Sequence, residues 1–179
     1  MLRVHFTADD LARVRLAPGI DPLWELLLSV HLLAGPDGPV AFGDWRRRTR
    51  PRLTARLRML FDLAPRWGYS VDFLTPSGGS TDLDAGIEEV LRTSHQRLRA
   101  DLAQLGGPVR PWRRPLADGD PAMLRQLGRS LREYQRVALA EHWSSIRAQV
   151  DADLLGRART LRDSGVERLL SSLHPATIR

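Results

Sequence analysis

The chain has 179 residues, 42% of them hydrophobic and 27% charged, which suits one globular domain, or two small ones sharing a core, and argues against disorder. Its 27 basic residues are all arginine, they outnumber 21 acidic ones for a formal charge of +6, and there is no cysteine. Without lysine there is no phosphate-loop lysine, no Schiff-base lysine and no catalytic ammonium; without cysteine there is no disulfide, thiolate nucleophile or thiolate metal site.

Residues 2–6 alternate weakly and predict one short strand, after which Thr7 with Asp10 forms a capping pair for a short helix. Asp21-Pro22 is a stronger start signal, an Asp cap with proline at the first helical position, and it opens a helix from Leu23 to Ala34 that Gly35-Pro36 closes. A loop over 35–39 leads to a short helix from Phe42 to Thr49, and Pro51 begins or bends a further helix that Pro65 ends. Residues 66–80 are rich in aromatics and turn formers. Helices over 82–92 and 94–105 follow, and Gly106-Gly107-Pro108 stops the second. The stretch from Arg110 to Asp118 reads as a connector, and a sub-boundary of the domain is placed within 106–120. Asp120-Pro121 then launches the longest helical pattern, to about Arg162. Its apolar stripe changes face between Tyr134 and Trp143, so either the helix breaks near Ala140 or one long helix serves two cores. Ser164-Gly165 restarts a last helix. The expected fold is mostly α, a multi-helix bundle with one short N-terminal strand, in a single domain over 1–179.

The N-terminus reaches Asp9 and Asp10 before any apolar stretch long enough for a secretory signal, and the run from Leu23 to Ala34 is too short to cross a bilayer. A cytoplasmic chain with no membrane partner is expected. Charge is concentrated: Arg46, Arg47, Arg48, Arg50, Arg52, Arg56 and Arg58 occur with no acid among them. Such a segment suits nucleic-acid phosphates or an anionic ligand, with Arg46, Arg47, Arg48, Arg50 and Arg52 the candidate contacts. A solvated helix face is the favoured reading, because Leu53, Leu57, Leu60, Phe61 and Ala64 form a stripe that leaves Arg52, Arg56 and Arg58 mainly on other faces.

Five scattered histidines lack the spacing of a metal site, and no nucleophile turn or glycine-rich phosphate loop is present, so neither a cofactor nor an enzymatic activity is expected. Leu127-Gly128-Arg129-Ser130 mimics the start of a recognition helix, but the apolar spacing runs straight through the glycine. The aromatics Trp24, Trp67, Tyr69, Phe73, Tyr134 and Trp143 suit either a core or the lining of an apolar ligand pocket.

Several stretches carry a family resemblance. Val4-His5-Phe6-Thr7 with Asp10-Leu11-Ala12-Arg13, Asp21-Pro22-Leu23-Trp24-Glu25, Gly68-Tyr69 through Asp72-Phe73-Leu74-Thr75-Pro76, Ala117-Asp118-Gly119-Asp120 with Tyr134, Trp143 and Ile146-Arg147, and Gly165-Val166 through Leu173-His174-Pro175 fall in order along the chain. In this the chain resembles the N-terminal region of a group of actinobacterial transcriptional regulators whose C-terminal domain is an ArsR-type winged helix. Glu141-His142 departs from that pattern, where the relatives often place proline, and the relatives continue into a winged helix beyond the point where this sequence stops.

The resemblance implies a regulatory domain that forms a homodimer and binds an apolar small-molecule effector, with DNA contacted through a C-terminal domain outside this chain. The effector-binding residues expected are Trp24, Tyr69, Phe73, Tyr134 and Trp143. A ligand-free protein interaction module and direct nucleic-acid binding through Arg46 to Arg58 are the alternatives.

Overall fold

The computed structural model describes residues 5–108 and 110–173, which are mostly helical. They form two compact units, one within residues 21–143 and one drawn from residues 5–20 and 144–173. A single domain was expected. The segment 106–120, expected to hold an internal boundary, lies inside the larger unit because Leu116 within it is fully buried.

In the smaller unit, helix α1 (Ala8–Ala12) starts from the anticipated capping pair. Thr7 Oγ1 accepts the Asp10 N–H at 3.2 Å, while the Asp10 carboxylate accepts the Thr7 N–H at 3.0 Å. The expected N-terminal strand is not formed at His5 and Phe6, and residues 2–4 of it lie outside the described residues. Both side chains are exposed, and among the described residues there is no strand to supply a hydrogen-bonding partner.

The larger unit opens with α2 (Pro22–Ala34), where Asp21 Oδ1 accepts the N–H groups of Leu23 and Trp24 at 2.9 and 3.3 Å. Helix α3 (Pro39–Thr49) begins three residues earlier than Phe42, because Gly38 at φ 57° turns the chain and Pro39 suits the first helical position. The long helix expected after Pro51 is absent. Residues Arg50–Arg52 and Ala55–Leu57 are single 3₁₀ turns separated by extended backbone at Leu53 and Thr54, and only α4 (Arg58–Leu63) is α-helical. The stripe survives the interruption, since Leu57, Leu60 and Ala64 are buried. Helices α5 (Leu83–Leu91) and α6 (His95–Gln104) occur where helices were expected, with Asp82 and Ser94, expected as their first residues, acting as the N-caps. The expected connector holds a short helix, α7 (Arg113–Ala117), anchored by Leu116.

Helix α8 (Pro121–Tyr134) packs on α4, α5 and α7, while α2 packs on α4 and α5. Gly128 permits the α5 contact, because a Cβ there would lie 3.2 Å from Leu91 Cδ1. Ser130 is buried beside it with its hydroxyl on the Arg56 carbonyl at 3.4 Å. The Leu-Gly-x-Ser rhythm is therefore a packing device inside a continuous helix.

The change of face has a structural cause. Gln135–Leu139 is a π-helical turn and Ala140–His142 a 3₁₀ turn, after which α9 (Trp143–Ser172) resumes. A π turn closes through i→i+5 bonds and shifts the register of everything after it. Trp45 holds this turn to α3, donating its indole N–H to the Ala138 carbonyl at 2.8 Å. Gly165, at φ 80° and ψ 173°, interrupts α9 where the last helix was expected to restart.

Candidate functional site

The structure disperses the five aromatic residues expected to line a pocket. Phe73 and Tyr134 are fully buried core side chains. Trp24 is about half exposed on the outer face of α2, and Trp143 is half-buried at the start of α9. Tyr69 borders a cavity of about 510 Å³, and Phe73 also borders a smaller one of about 260 Å³. The interior that Phe73 and Tyr134 occupy is filled by Leu57, Leu60, Leu63, Ile87, Leu127 and Leu131, so their rings act as packing.

The cleft beside Tyr69 has a volume of about 510 Å³, within the usual range for a small-molecule site of roughly 300–1,000 Å³. Phe61, Trp67 and Tyr69 give it aromatic walls, and Gln104, Arg110 and Arg113 give it polar groups. Three separate stretches build it. The end of α4 supplies Phe61 and Asp62, the turn-rich segment after Pro65 supplies Trp67 and Tyr69, and the chain around α7 supplies the two arginines.

Its polar groups differ in what they have left to offer. Arg110 grips Asp62 in a two-pronged pair, Nε to Oδ2 at 3.0 Å and Nη2 to Oδ1 at 3.1 Å. Arg113 donates from Nη2 to the Gly106 carbonyl at 3.1 Å, yet its Nε is buried with no partner among the described residues. A buried donor without a partner is costly, and that cost falls on the side chain that lines the cleft. Tyr69 Oη accepts the Asp72 N–H at 3.4 Å, and burial, with the neighbouring Asp101 and Asp72 carboxylates, raises its pKa. Trp67 is 78% exposed and stacks under the Arg66 guanidinium, 4.8 Å from its ring centroid.

Phe61 ties this cleft to the core. Its ring meets that of Tyr134 edge to face, with centroids 6.1 Å apart and planes at 74°. Tyr134 is the last residue of α8 before the π turn.

The candidate nucleic-acid arginines divide. Arg46 is buried, with Nε on the Leu32 carbonyl at 2.6 Å and Nη2 on the Asp37 carbonyl, and Arg50 reaches the Leu33 carbonyl at 2.9 Å. Both cap the C-terminal end of α2, where the helix dipole favours a cation. Arg47 pairs with Asp44 on the surface of α3, and Arg48 and Arg52 are exposed.

Sequence reasoning missed Phe61, Asp62, Gln104, Arg110 and Arg113. The available signal was the stretch 110–114, where three arginines surround Trp112 and a proline, which the connector reading passed over. Among the described residues no group of three or more His, Asp or Glu side chains is placed to hold a metal ion, and no single helix is long and apolar enough to cross a membrane. Comparison with protein-family models, with curated proteins and with solved structures finds no match for this chain.

Proposed function

We propose that this chain is the ligand-sensing regulatory part of a transcriptional regulator of the ArsR winged-helix kind, and that the effector binds in the Phe61–Tyr69 cleft. The effector is a flat apolar molecule carrying an acceptor group, its body against Trp67 and Tyr69 and its acceptor on the Arg113 guanidinium. The observation that carries this reading is the contact from Phe61 to Tyr134. A ligand that moves Phe61 acts on the ring immediately before the π turn, the irregular point through which α8 continues into α9. Regulation needs two arrangements that the ligand distinguishes, and a π turn that a regular α turn can replace supplies a candidate pair. Output to DNA passes through a domain outside this chain.

Self-association belongs to the same reading. Trp24 and Leu28, one turn apart on α2 and each 48% exposed, are the apolar surface assigned to a second copy.

Titration with a panel of aromatic carboxylates, followed by tryptophan fluorescence and thermal shift, tests the cleft. Saturable quenching that Arg113→Gln abolishes is expected. A response that is flat across the panel, or that is unchanged in Arg113→Gln, removes this function.

A further inference from the structure

Another, open cavity of about 810 Å³ lies between the C-terminal end of α2 and α3, and its lining includes four arginines and no carboxylate. Arg46, Arg47 and Arg50 come from one stretch of α3 and the turn after it, and Arg66 faces them across Gly35 and Gly43.

Two of these cations have carboxylate partners. Arg47 pairs with Asp44, and Arg66 Nη2 lies 3.8 Å from Asp37 Oδ2. Arg46 and Arg50 have no carboxylate partner; Arg46, just 6% exposed, is held by two carbonyls with the Phe42 ring 6.0 Å away, and Arg50 is exposed and reaches the Leu33 carbonyl. Carbonyls of the α2 C-terminus and, for Arg46 Nη2, of Asp37 in the loop beyond it account for Nε and Nη2 of each, which leaves both Nη1 groups without a protein partner among the described residues. Arg66 Nε is also buried without one. A buried cation held by neutral acceptors alone is costly, and an anion seated among converging guanidinium groups relieves that cost. No aromatic side chain lines the cavity, so there is no surface here on which a base or apolar ring would stack.

We infer that this cavity is a binding site for a phosphate-bearing small molecule, recognised through a pyrophosphate or phosphate-ester group. Guanidinium forks match the paired oxygens of such groups, and several forks around one concavity suit an anion with more than one charge. Concavity is also what separates this reading from nucleic-acid binding, for which Arg48, Arg52, Arg56 and Arg58, all exposed and outside the cavity lining, would have to take part. Its lining shares no residue with the aromatic cleft, although the two meet where Arg66 lies over the Trp67 ring.

Isothermal titration of the full chain with inorganic pyrophosphate at low ionic strength provides the test. Saturable one-to-one binding is expected. Arg47→Gln should weaken it about tenfold, the loss of one charge-assisted contact, with the melting temperature unchanged because that side chain is 75% exposed. Gly43→Glu should abolish it. A Cβ at Gly43 meets nothing closer than Arg47 Nη1 at 3.8 Å, so the new carboxylate has room to occupy the site itself. Absence of saturation, or binding that survives Gly43→Glu, overturns the inference. A duplex DNA that binds more tightly than pyrophosphate, and loses affinity equally when Arg52 or Arg58 becomes glutamine, overturns it in favour of a nucleic-acid surface.

Discussion

Tyr134 is completely buried, and its hydroxyl reaches Ser29 Oγ at 3.1 Å while Ser29 Oγ reaches the Leu26 carbonyl at 2.7 Å. Ser29 is the donor in both contacts, with one proton for two acceptors, the Leu26 carbonyl and the Tyr134 hydroxyl, so it serves one of them at a time. Burial dominates the strong rise in the Tyr134 pKa, against which the bond with Ser29 works. Tyr134→Phe should cost about 1 kcal/mol in urea denaturation, as for one modest hydrogen bond. Two titratable groups on α2 shift in ways that make stability depend on pH. The pKa of Glu25 is raised from 4.5, first by burial and then by Asp21. The folded chain therefore holds that proton to higher pH than the unfolded chain, and stability declines as pH rises from 4.5 through the folded value. Glu25→Gln should stabilise at pH 7, with the gain vanishing below 4.5. His31 moves the other way, its pKa lowered from 6.5 by burial. Its neutral form, in contact with Ser70 at 3.0 Å, contributes fully above 6.5, and the benefit is lost as pH falls from there through the folded value. In His31→Gln, denaturation midpoints measured from pH 7.5 to 5 should decline less than in the parent.

Elements were legible in the sequence wherever the deciding groups are neighbours in the chain. Asp21, Asp82, Ser94 and Asp120 each cap the helix they precede, because an N-cap needs only a side chain and an N–H two or three residues on. The break beyond Tyr134 was legible as a phase change, though not as a π turn, whose hydrogen-bond pattern leaves no mark on residue type. The aromatic cleft was not legible. It is assembled from residues 61–69, 104 and 110–113, and the sequence displays that a ring is aromatic without displaying whether it faces core or cavity, as Phe73 and Tyr134 illustrate against Tyr69. Within α9 the dihedrals of Gly165 fall in a region that side chains avoid, and Gly165→Ala should cost about 1–3 kcal/mol if the break is kept. The substitution can escape that cost by letting the helix run straight through. Far-UV circular dichroism then separates the two outcomes, lower stability at constant helicity against a gain in helicity.

At the scale of the whole molecule, burial is distributed unevenly. Among the described residues, every buried apolar side chain other than Ile20 and Leu169 lies between Asp21 and Trp143. The part of α9 beyond Trp143 has Ile146, Val150, Leu154 and Leu161 only half-buried, and Leu155 is 60% exposed. Backbone amides in such a helix open locally, whereas those of α2, α5 and α8 are released only when the packed core around Leu27, Ile87 and Leu131 comes apart. Native-state hydrogen exchange should therefore give two classes of protection. Amides of residues 146–164 are expected to exchange at free energies well below that of global unfolding, and the buried faces of α2, α5 and α8 at the global value. A ligand in the aromatic cleft should raise protection first in residues 134–143, because Phe61 touches Tyr134 at the entrance to the π turn. Protection in α9 equal to that of α8 would refute the division of stability. A ligand that protects residues 61–69 and leaves 134–143 untouched would sever the cleft from the helix it is proposed to control.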